Sequence, residues 1–268
     1  MRLAVPTIAA FLAVAVPAVA HEGHETHAVA TDTALKAAVD GAWRTAENKD
    51  RDQFRHPVES LTFWGLKPGA QIVEYYPGNK GWWTEILAPY AYKTKGRYTA
   101  VLGKVDDPAF WAEVADKSIY GAVSASTLDA LPANEADLVL IARAFHNWAR
   151  QDGATDRQLN AAFKALKSGG ILAVEQHRAP EGSDPKAGTG YVPESYVIEA
   201  AKKAGFVFVG KSEINANAKD TRDHPFGVWT LKPIRRSEQA GRTLTADERA
   251  KYDAIGESDR MTLTFRKP

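Results

Sequence analysis

Residues 71–81 read QIVEYYPGNKG, and this stretch decides the fold. Its apolar and aromatic start predicts a buried strand over residues 71–76, and a loop with two glycines follows at 77–81. A helix is predicted over residues 82–90. Glycine lets the backbone approach a ligand, and a helix N-terminus offers free N–H groups, so the stretch has the outline of a nucleotide cradle. A plain turn, with Glu74 as a local hydrogen-bond acceptor, is the other interpretation.

The alternation of strand and helix continues to the end of the chain. Six further strands are predicted, at residues 98–102, 122–126, 137–142, 171–176, 206–214 and 261–265. Helices are predicted at residues 58–64, 108–117, 156–167, 193–204 and 246–254. Short apolar strands that alternate with helices indicate an α/β domain with a mainly parallel sheet covered on both faces. Ligands of such sheets bind beyond the carboxyl ends of the strands, where the strand order reverses.

Residues 1–20 have the pattern of a secretory signal. Arg2 precedes an apolar run that ends in Ala18, Val19 and Ala20, which predicts cleavage after Ala20 and a periplasmic or secreted protein. A membrane anchor is the alternative, although the run is short and contains two prolines. No other long apolar segment exists in the sequence, so we expect no membrane span once the signal is removed.

Residues 21–50 are predicted to form a tail and a helix that begins near Thr31 or Asp32, before a main domain at residues 51–268. The tail contains three histidines, His21, His24 and His27. The amine and imidazole of a new N-terminus suit copper, and a mobile tail with incidental histidines is the alternative.

The composition excludes several classes of site. The chain has no cysteine, which rules out disulfides, thiol nucleophiles, zinc–thiolate sites and iron–sulfur clusters. Its net charge is +1 and its basic residues are scattered, so nucleic acid is not an expected partner.

Several longer strings complete the pattern, at residues 55–57, 82–90, 146–148, 177–180, 190–194, 211–217 and 255–261. With the order of strands and loops over residues 58–213, they make the chain similar to the class I S-adenosylmethionine-dependent methyltransferases. The strings are closest to a group of exported predicted methyltransferases. The resemblance implies a Rossmann-like, doubly wound, mainly parallel seven-stranded sheet, and S-adenosylmethionine as the cofactor.

The resemblance also implies which residues bind the cofactor. They are Glu74, Tyr76, Pro77, Gly78, Asn79, Gly81, Leu128 and Asp129. Three features depart from the family. Tyr76 stands where glycine is usual, and the loop has Asn79 and Lys80 where a shorter turn, richer in glycine, is usual. The second strand lacks the acidic residue that normally takes the ribose hydroxyls. Asp106 or Asp107 is the expected replacement for that acid.

Candidate catalytic residues follow the fourth and fifth strands, at His146, Asn147, His177 and Arg178. Histidine titrates near neutral pH, so His146 is expected to act as a base, with Asn147 orienting the substrate. Arg178 is expected to bind a carboxylate or phosphate in two-pronged fashion. The alternatives are a structural role for His146 and an ion pair of Arg178 with Glu175 or Glu181.

Three aromatic residues are expected to line the substrate pocket, namely Trp82, Trp148 and Tyr191. Because Trp82 and Trp83 are adjacent on a predicted helix, at most one of them should face the core. Three functions stay open: an exported methyltransferase acting on a small substrate, a binding protein that keeps the fold without the cofactor, and a different enzyme that uses the two crevice histidines. The third includes a metal held with Glu175 or Asp184.

Overall fold

The computed structural model describes residues 32–78 and 81–268. The predicted signal, the three tail histidines, Thr31 and Asn79 lie outside the described residues. From Asp32 to Pro268 the chain forms one unit. No helix in the described ranges is long and apolar enough to cross a membrane.

Ten strands are found in the described residues. In chain order they are β1 Gln71–Tyr75, β2 Arg97–Val101, β3 Ser124–Ser126, β4 Ala136–Ala142, β5 Leu166–Ala179, β6 Val192–Pro193, β7 Val207–Ser212, β8 Glu238–Gln239, β9 Arg242–Thr243 and β10 Arg260–Arg266. The central sheet has the order β3-β2-β1-β4-β5-β10-β7, and β6 pairs with the end of β5. Strands β1 to β5 run parallel, whereas β10 is antiparallel to both β5 and β7.

The described residues also form eleven α-helices. They are α1 Thr33–Val39, α2 Ala46–Lys49, α3 Asp52–Arg55, α4 Pro57–Phe63, α5 Thr84–Lys93, α6 Pro108–Glu113, α7 Lys117–Tyr120, α8 Phe145–Trp148, α9 Ala154–Ala165, α10 Glu194–Lys203 and α11 Ala246–Ile255. Asp32 caps α1, as expected, by accepting hydrogen bonds from the N–H groups of Ala34 and Leu35. Thr245 and Glu248 form a capping box at α11.

The sheet is covered on both faces because alternate residues of each strand point to opposite sides. Ile72 of β1 packs in a core with α1 and α5, whereas Val73 and Tyr75 pack in the other core with α9 and α10. Strand β1 lies between β2 and β4, which follow it in the chain, so the strand order reverses there. The crevice at the carboxyl end of β1 is therefore the expected ligand site.

The local structure differs from the predictions in four places. Residues 48–55, where no helix was predicted, form most of the short helices α2 and α3, and Arg55 is fully buried. The helix expected over 108–117 divides into α6 and α7, because Asp116 caps a second helix. Strand β5 begins five residues earlier than expected, directly after α9. The hairpin of β8 and β9 was not expected at all.

Candidate functional site

A cavity of about 170 Å³ lies beyond the carboxyl ends of β1 and β2. It is lined by Tyr76, Pro77, Gly78, Leu102, Gly103, Asp107, Ala109, Phe110 and Glu113. Gly78 has a left-handed backbone, with φ of +81°, and no described atom lies within 4 Å of the position that a Cβ would take there. The backbone at Gly78 is thus open to a ligand.

Tyr76 adopts the left-handed backbone that a glycine at this position would adopt, with φ of +49°. Its ring packs against Trp148 with 6.3 Å between centroids, and the Gln158 amide nitrogen donates to its hydroxyl at 3.1 Å. The tyrosine is more than one-third exposed. Its ring is therefore held by α8 and α9, and the side chain borders the cavity without closing the space at Gly78.

Glu74, at the end of β1, is buried and engaged by its neighbours. Tyr98 on β2 donates a hydrogen bond of 2.6 Å to its Oε2 atom, and Thr84 donates a second of 3.0 Å. Burial raises the pKa of the carboxyl to about 7, although both hydrogen bonds act in the opposite direction. Burial therefore favours the neutral form of this carboxyl over the ionised form.

Glu113 is the acidic residue that faces the loop, and the sequence analysis missed it. Its Oε1 atom lies only 1.5 Å from where a Cβ on Gly81 would be, so the carboxylate rests against that glycine. Oε1 is buried and has no hydrogen-bond partner among residues 32–78 and 81–268. Burial, Glu74 and Glu85 together raise the pKa of Glu113 to about 7. An unpartnered acceptor at this position suits a ligand that donates hydrogen bonds.

Of the two aspartates expected to replace the missing acid, one caps a helix and the other is exposed. Asp107 lines the cavity, but its Oδ1 caps α6 by accepting from the N–H groups of Ala109 and Phe110. Asp106 is exposed and does not border the cavity. The sequence could not identify Glu113 as a site residue, because it is far from Gly81 along the chain. Only the packing of α6 in the folded protein brings its carboxylate to Gly81.

Leu128 and Asp129 lie on a short 3₁₀ helix, Leu128–Ala130, after β3. Leu128 is buried in the core on the α9 side of the sheet. Asp129 accepts a 2.6 Å hydrogen bond from Arg157, and both side chains are mostly exposed. Neither residue borders the cavity at Gly78.

The two histidines after β4 and β5 do come together. The ring centroids of His146 and His177 are 5.7 Å apart, and His177 Nδ1 lies 2.6 Å from Ser258 Oγ. Burial lowers the pKa of His146 to about 4 and lowers that of His177 well below its ordinary value. The expectation of titration near neutral pH was therefore wrong, since both imidazoles are held neutral.

Asn147 and Trp148 border a second cavity, of about 600 Å³, on the other side of Tyr76. Asn147 is exposed and its side-chain oxygen accepts from Arg150 at 2.9 Å. Trp148 is buried and contacts the rings of Tyr75 and Tyr76. The half-buried Arg143 lies on the same wall of this cavity.

Arg178 is already paired. It donates to Asp259 at 2.9 and 3.0 Å and to Glu213 at 2.8 and 2.7 Å, so two carboxylates use both edges of the guanidinium. These hydrogen bonds raise its pKa further above the ordinary arginine value. The alternative, an ion pair of Arg178, is what the structure shows, but with Asp259 and Glu213 instead of Glu175 or Glu181. The guanidinium is therefore not free for the expected substrate anion.

Comparisons with solved structures identify proteins of similar fold. The [4+2]-cyclase SpnF has a TM-score of 0.52 and 17% sequence identity, covering 87% of this chain and 91% of SpnF. The N-methyltransferase NodS from Bradyrhizobium japonicum WM9 has a TM-score of 0.50 and 14% identity, covering 83% of this chain and 98% of NodS. The chain has the methyltransferase fold. No protein-family model and no curated protein sequence matches it.

At these identities the methyltransferase fold is what the chain shares with its neighbours, and the reaction is a separate question. SpnF is itself a cyclase, so one fold carries more than one kind of chemistry. The Rossmann-like, doubly wound sheet expected from the sequence is confirmed, with seven strands along its path and β6 beside it. Any function has to be argued from the residues of the site.

The remaining expected pocket residues are interior in this methyltransferase fold. Trp82 is buried, and its indole N–H donates to the carbonyl of Asn48 at 2.8 Å. Trp83 is buried as well, contrary to expectation, because both residues precede α5 and helices α1 to α4 cover this side of the sheet. Tyr191 donates to Asp220 at 3.0 Å and lies beside His177.

The residues described contain no group of three or more histidine, aspartate or glutamate side chains arranged to hold a metal ion. The two crevice histidines lie beside Gln176, Ser258, Tyr191 and Trp229. Their neighbours are thus hydrogen-bonding and aromatic groups, which suit an organic ligand.

Proposed function

We propose that this chain is an exported S-adenosylmethionine-dependent methyltransferase of class I that acts on a small molecule. The observation that carries the proposal is the unpartnered Glu113 oxygen opposite the open backbone of Gly78. These groups meet in the crevice where β1 is flanked by β2 and β4. Nucleotide-like ligands of doubly wound sheets bind at such a switch point.

The residues of the crevice fit this cofactor. Glu113 would accept hydrogen bonds from the ribose hydroxyls, in the role that the missing acid of the second strand has in the family. Its carboxylate is the far end of a flexible side chain, so it can move from Gly81 when a ligand enters. Pro77 and Gly78 would lie along the ligand, and Phe110 offers an apolar wall. Bound there, the cofactor supplies an electrophilic methyl group.

The charge of the crevice also suits a cationic ligand. Glu74 and Glu113 both have pKa values of about 7, because both are buried. A positive charge beside them would favour their ionised forms. We therefore expect the crevice to hold a sulfonium compound more tightly above pH 7 than below it.

His146 and His177 are proposed to orient the methyl acceptor. His146 is neutral at pH 7, and a group with a pKa of about 4 is a weak general base at that pH. Methyl transfer depends mainly on aligning the acceptor with the methyl group in a dry site, and few catalytic groups are needed. Both imidazoles and the ring of Trp148 are buried, which suits an acceptor site with little water. We propose Asn147 as a further polar contact for the acceptor.

Export is part of the proposal, and it rests on the pattern of residues 1–20 alone. The mature chain would begin at His21. Expression with residues 1–20 in place, followed by fractionation and N-terminal sequencing, tests it. A product in the cytoplasm that still begins at Met1 would contradict export and leave the cofactor site untouched.

Calorimetric titration with S-adenosylmethionine and with its demethylated, uncharged product tests the activity proposal. We expect both to bind, and Glu113→Gln to weaken both by about tenfold, since a charge-assisted hydrogen bond is lost. Glu59→Gln is the matched control, because Glu59 is an exposed glutamate on α4. If neither compound binds wild-type protein, the proposal is wrong.

One observation favours a second candidate function, a binding protein that has the methyltransferase fold and lacks the cofactor. The Glu113 carboxylate rests against Gly81, where the family places the cofactor. Glu113→Ala separates the two candidates. If the crevice is a cofactor site, this variant should bind adenosine compounds more weakly than wild type. If Glu113 closes the crevice, the variant should bind them more tightly.

A further inference from the structure

Six buried or partly buried charged residues meet near the carboxyl end of β4 and the part of β5 beside it, outside the cavity at Gly78. They are Arg51, Arg55, Arg143, Glu175, Glu257 and Arg260, which we call the arginine cluster. Arg55, Arg260 and both glutamates are each at most 1% exposed. Four guanidinium groups face two carboxylates, so the cluster has two positive charges in excess.

Glu257 holds three of these arginines by one edge each. Its carboxylate accepts from Arg51 Nε at 2.6 Å, from Arg55 Nε at 2.9 Å and from Arg260 Nη2. Arg260 Nε also lies 3.1 Å from Glu175 Oε1. The three guanidinium groups are therefore gathered around one carboxylate, and their other edges are left for a different partner.

Those other edges are buried and unpaired within the described part of the chain. The nitrogens concerned are Arg51 Nη2, Arg55 Nη1 and Nη2, Arg260 Nη1 and Arg143 Nε. Buried N–H groups are nearly always hydrogen-bonded in native proteins, to protein, water or an ion. With excess positive charge in the same place, an anion satisfies both the unpaired donors and the charge.

The cluster adjoins the candidate site. Arg260 is paired in register with His177 across β10 and β5. The backbone N–H of Arg143 donates to the backbone carbonyl of Glu175 at 2.7 Å. Arg143 also borders the 600 Å³ cavity shared with Asn147 and Trp148. About one-eighth of the Arg51 side chain is exposed, at 12%. Arg51 and Arg143 are thus the two members of the cluster that are partly exposed.

We propose that the arginine cluster is an oxyanion-binding site, which takes the carboxylate or phosphate group of a small molecule bound at this end of the sheet. Guanidinium groups match both anions because two N–H groups face two oxygens. If the chain is a methyltransferase, the anion belongs to the methyl acceptor. The site itself does not rest on that function, since it is tested without any cofactor.

Calorimetric titration of the full chain with succinate and with inorganic phosphate, at constant ionic strength, tests the proposal. We expect at least one of them to bind, and the stronger of the two identifies the group. Arg143→Gln should weaken that binding about tenfold, because Arg143 adds charge without a side-chain hydrogen bond of its own in the described residues. Arg157→Gln, on another part of the same cavity, should leave it unchanged.

Arg51→Gln serves as a second variant should Arg143→Gln fail to fold, and it too should weaken binding about tenfold. Two results would overturn the proposal: no binding of either anion to wild-type protein, or equal binding by wild type and by both cluster variants. A negative titration with S-adenosylmethionine would not affect it, because the anions are added alone. The two proposals can therefore fail separately.

Discussion

The hydroxyl of Tyr98 donates a 2.6 Å hydrogen bond to the carboxylate of Glu74 across the parallel strands β1 and β2. Both groups are buried, and Thr84 is the second donor to the same oxygen. The carboxylate is thus well bonded, yet burial still raises its pKa to about 7. The site retains an acid whose ionisation opposes folding.

Glu74→Gln should therefore change how stability depends on pH. The folded pKa is above the unfolded value of 4.5, so ionisation of the Glu74 carboxyl makes the folded wild-type protein less stable as pH rises from about 4.5 to 7. Relative to wild type, the free energy of unfolding of the variant should increase by on the order of 3 kcal/mol between pH 4.5 and pH 8. Urea unfolding at several pH values measures this, with Glu59→Gln as the control. A pH-independent difference would contradict the raised pKa.

His146 should affect stability in the opposite direction. Its folded pKa of about 4 is below the ordinary 6.5, so its stabilisation is present above pH 6.5 and is lost as pH falls towards 4. His146→Phe should remove a pH dependence on the order of 3 kcal/mol over that interval. The imidazole signals of His146 in NMR spectra should not shift between pH 6 and 8. A midpoint near 6.5 would restore the expectation of a general base.

Arg178→Ala should unfold the protein more easily without changing ligand affinity. The change leaves the buried Asp259 carboxylate with the Asn217 backbone N–H at 2.8 Å and the more distant Arg222 at 3.4 Å, and such a loss costs about 3 kcal/mol. Arg157→Ala is the control, because its pair with Asp129 is exposed and contributes little. Retained stability together with weakened substrate binding would show that Arg178 serves the substrate after all.

Gly81→Ala should be coupled to Glu113. A Cβ at residue 81 meets the Glu113 carboxylate, and φ of +39° adds backbone strain. In the wild-type background we expect Gly81→Ala to lower the free energy of unfolding by about 2 kcal/mol. In the Glu113→Ala background we expect it to lower that free energy by only about 1 kcal/mol, which comes from the backbone strain. A double-mutant cycle by thermal unfolding measures the difference. Equal losses in both backgrounds would mean that Glu113 does not rest on the glycine.

The fold was predictable because its signal is local. The apolar residues of β4 and the glycine loop after β1 are read directly from the chain, and they fix the parallel sheet and its crevice. The site was predictable in position only. His146 and His177 meet because they end neighbouring strands, which the topology dictates.

The rest depended on contacts between distant parts of the chain. Arg55 in a charged segment is buried because Glu257, 202 residues later, accepts its hydrogen bond. Arg178 is paired with Glu213 and Asp259 rather than with a near neighbour. The pKa values of the histidines follow from burial, which the sequence does not express.

Strand β10, the last strand in the described residues, lies inside the sheet between β5 and β7. Its final residues are fastened there, since Lys267 exchanges hydrogen bonds with Gly169 and Gly170. Until the ribosome releases those residues, β5 and β7 have no strand to join them, and Arg260 is missing from beside Glu175 and Glu257. Completion of the interior therefore has to wait until residues 260–267 have been made, and the charged centre assembles only after the other strands of the sheet are available.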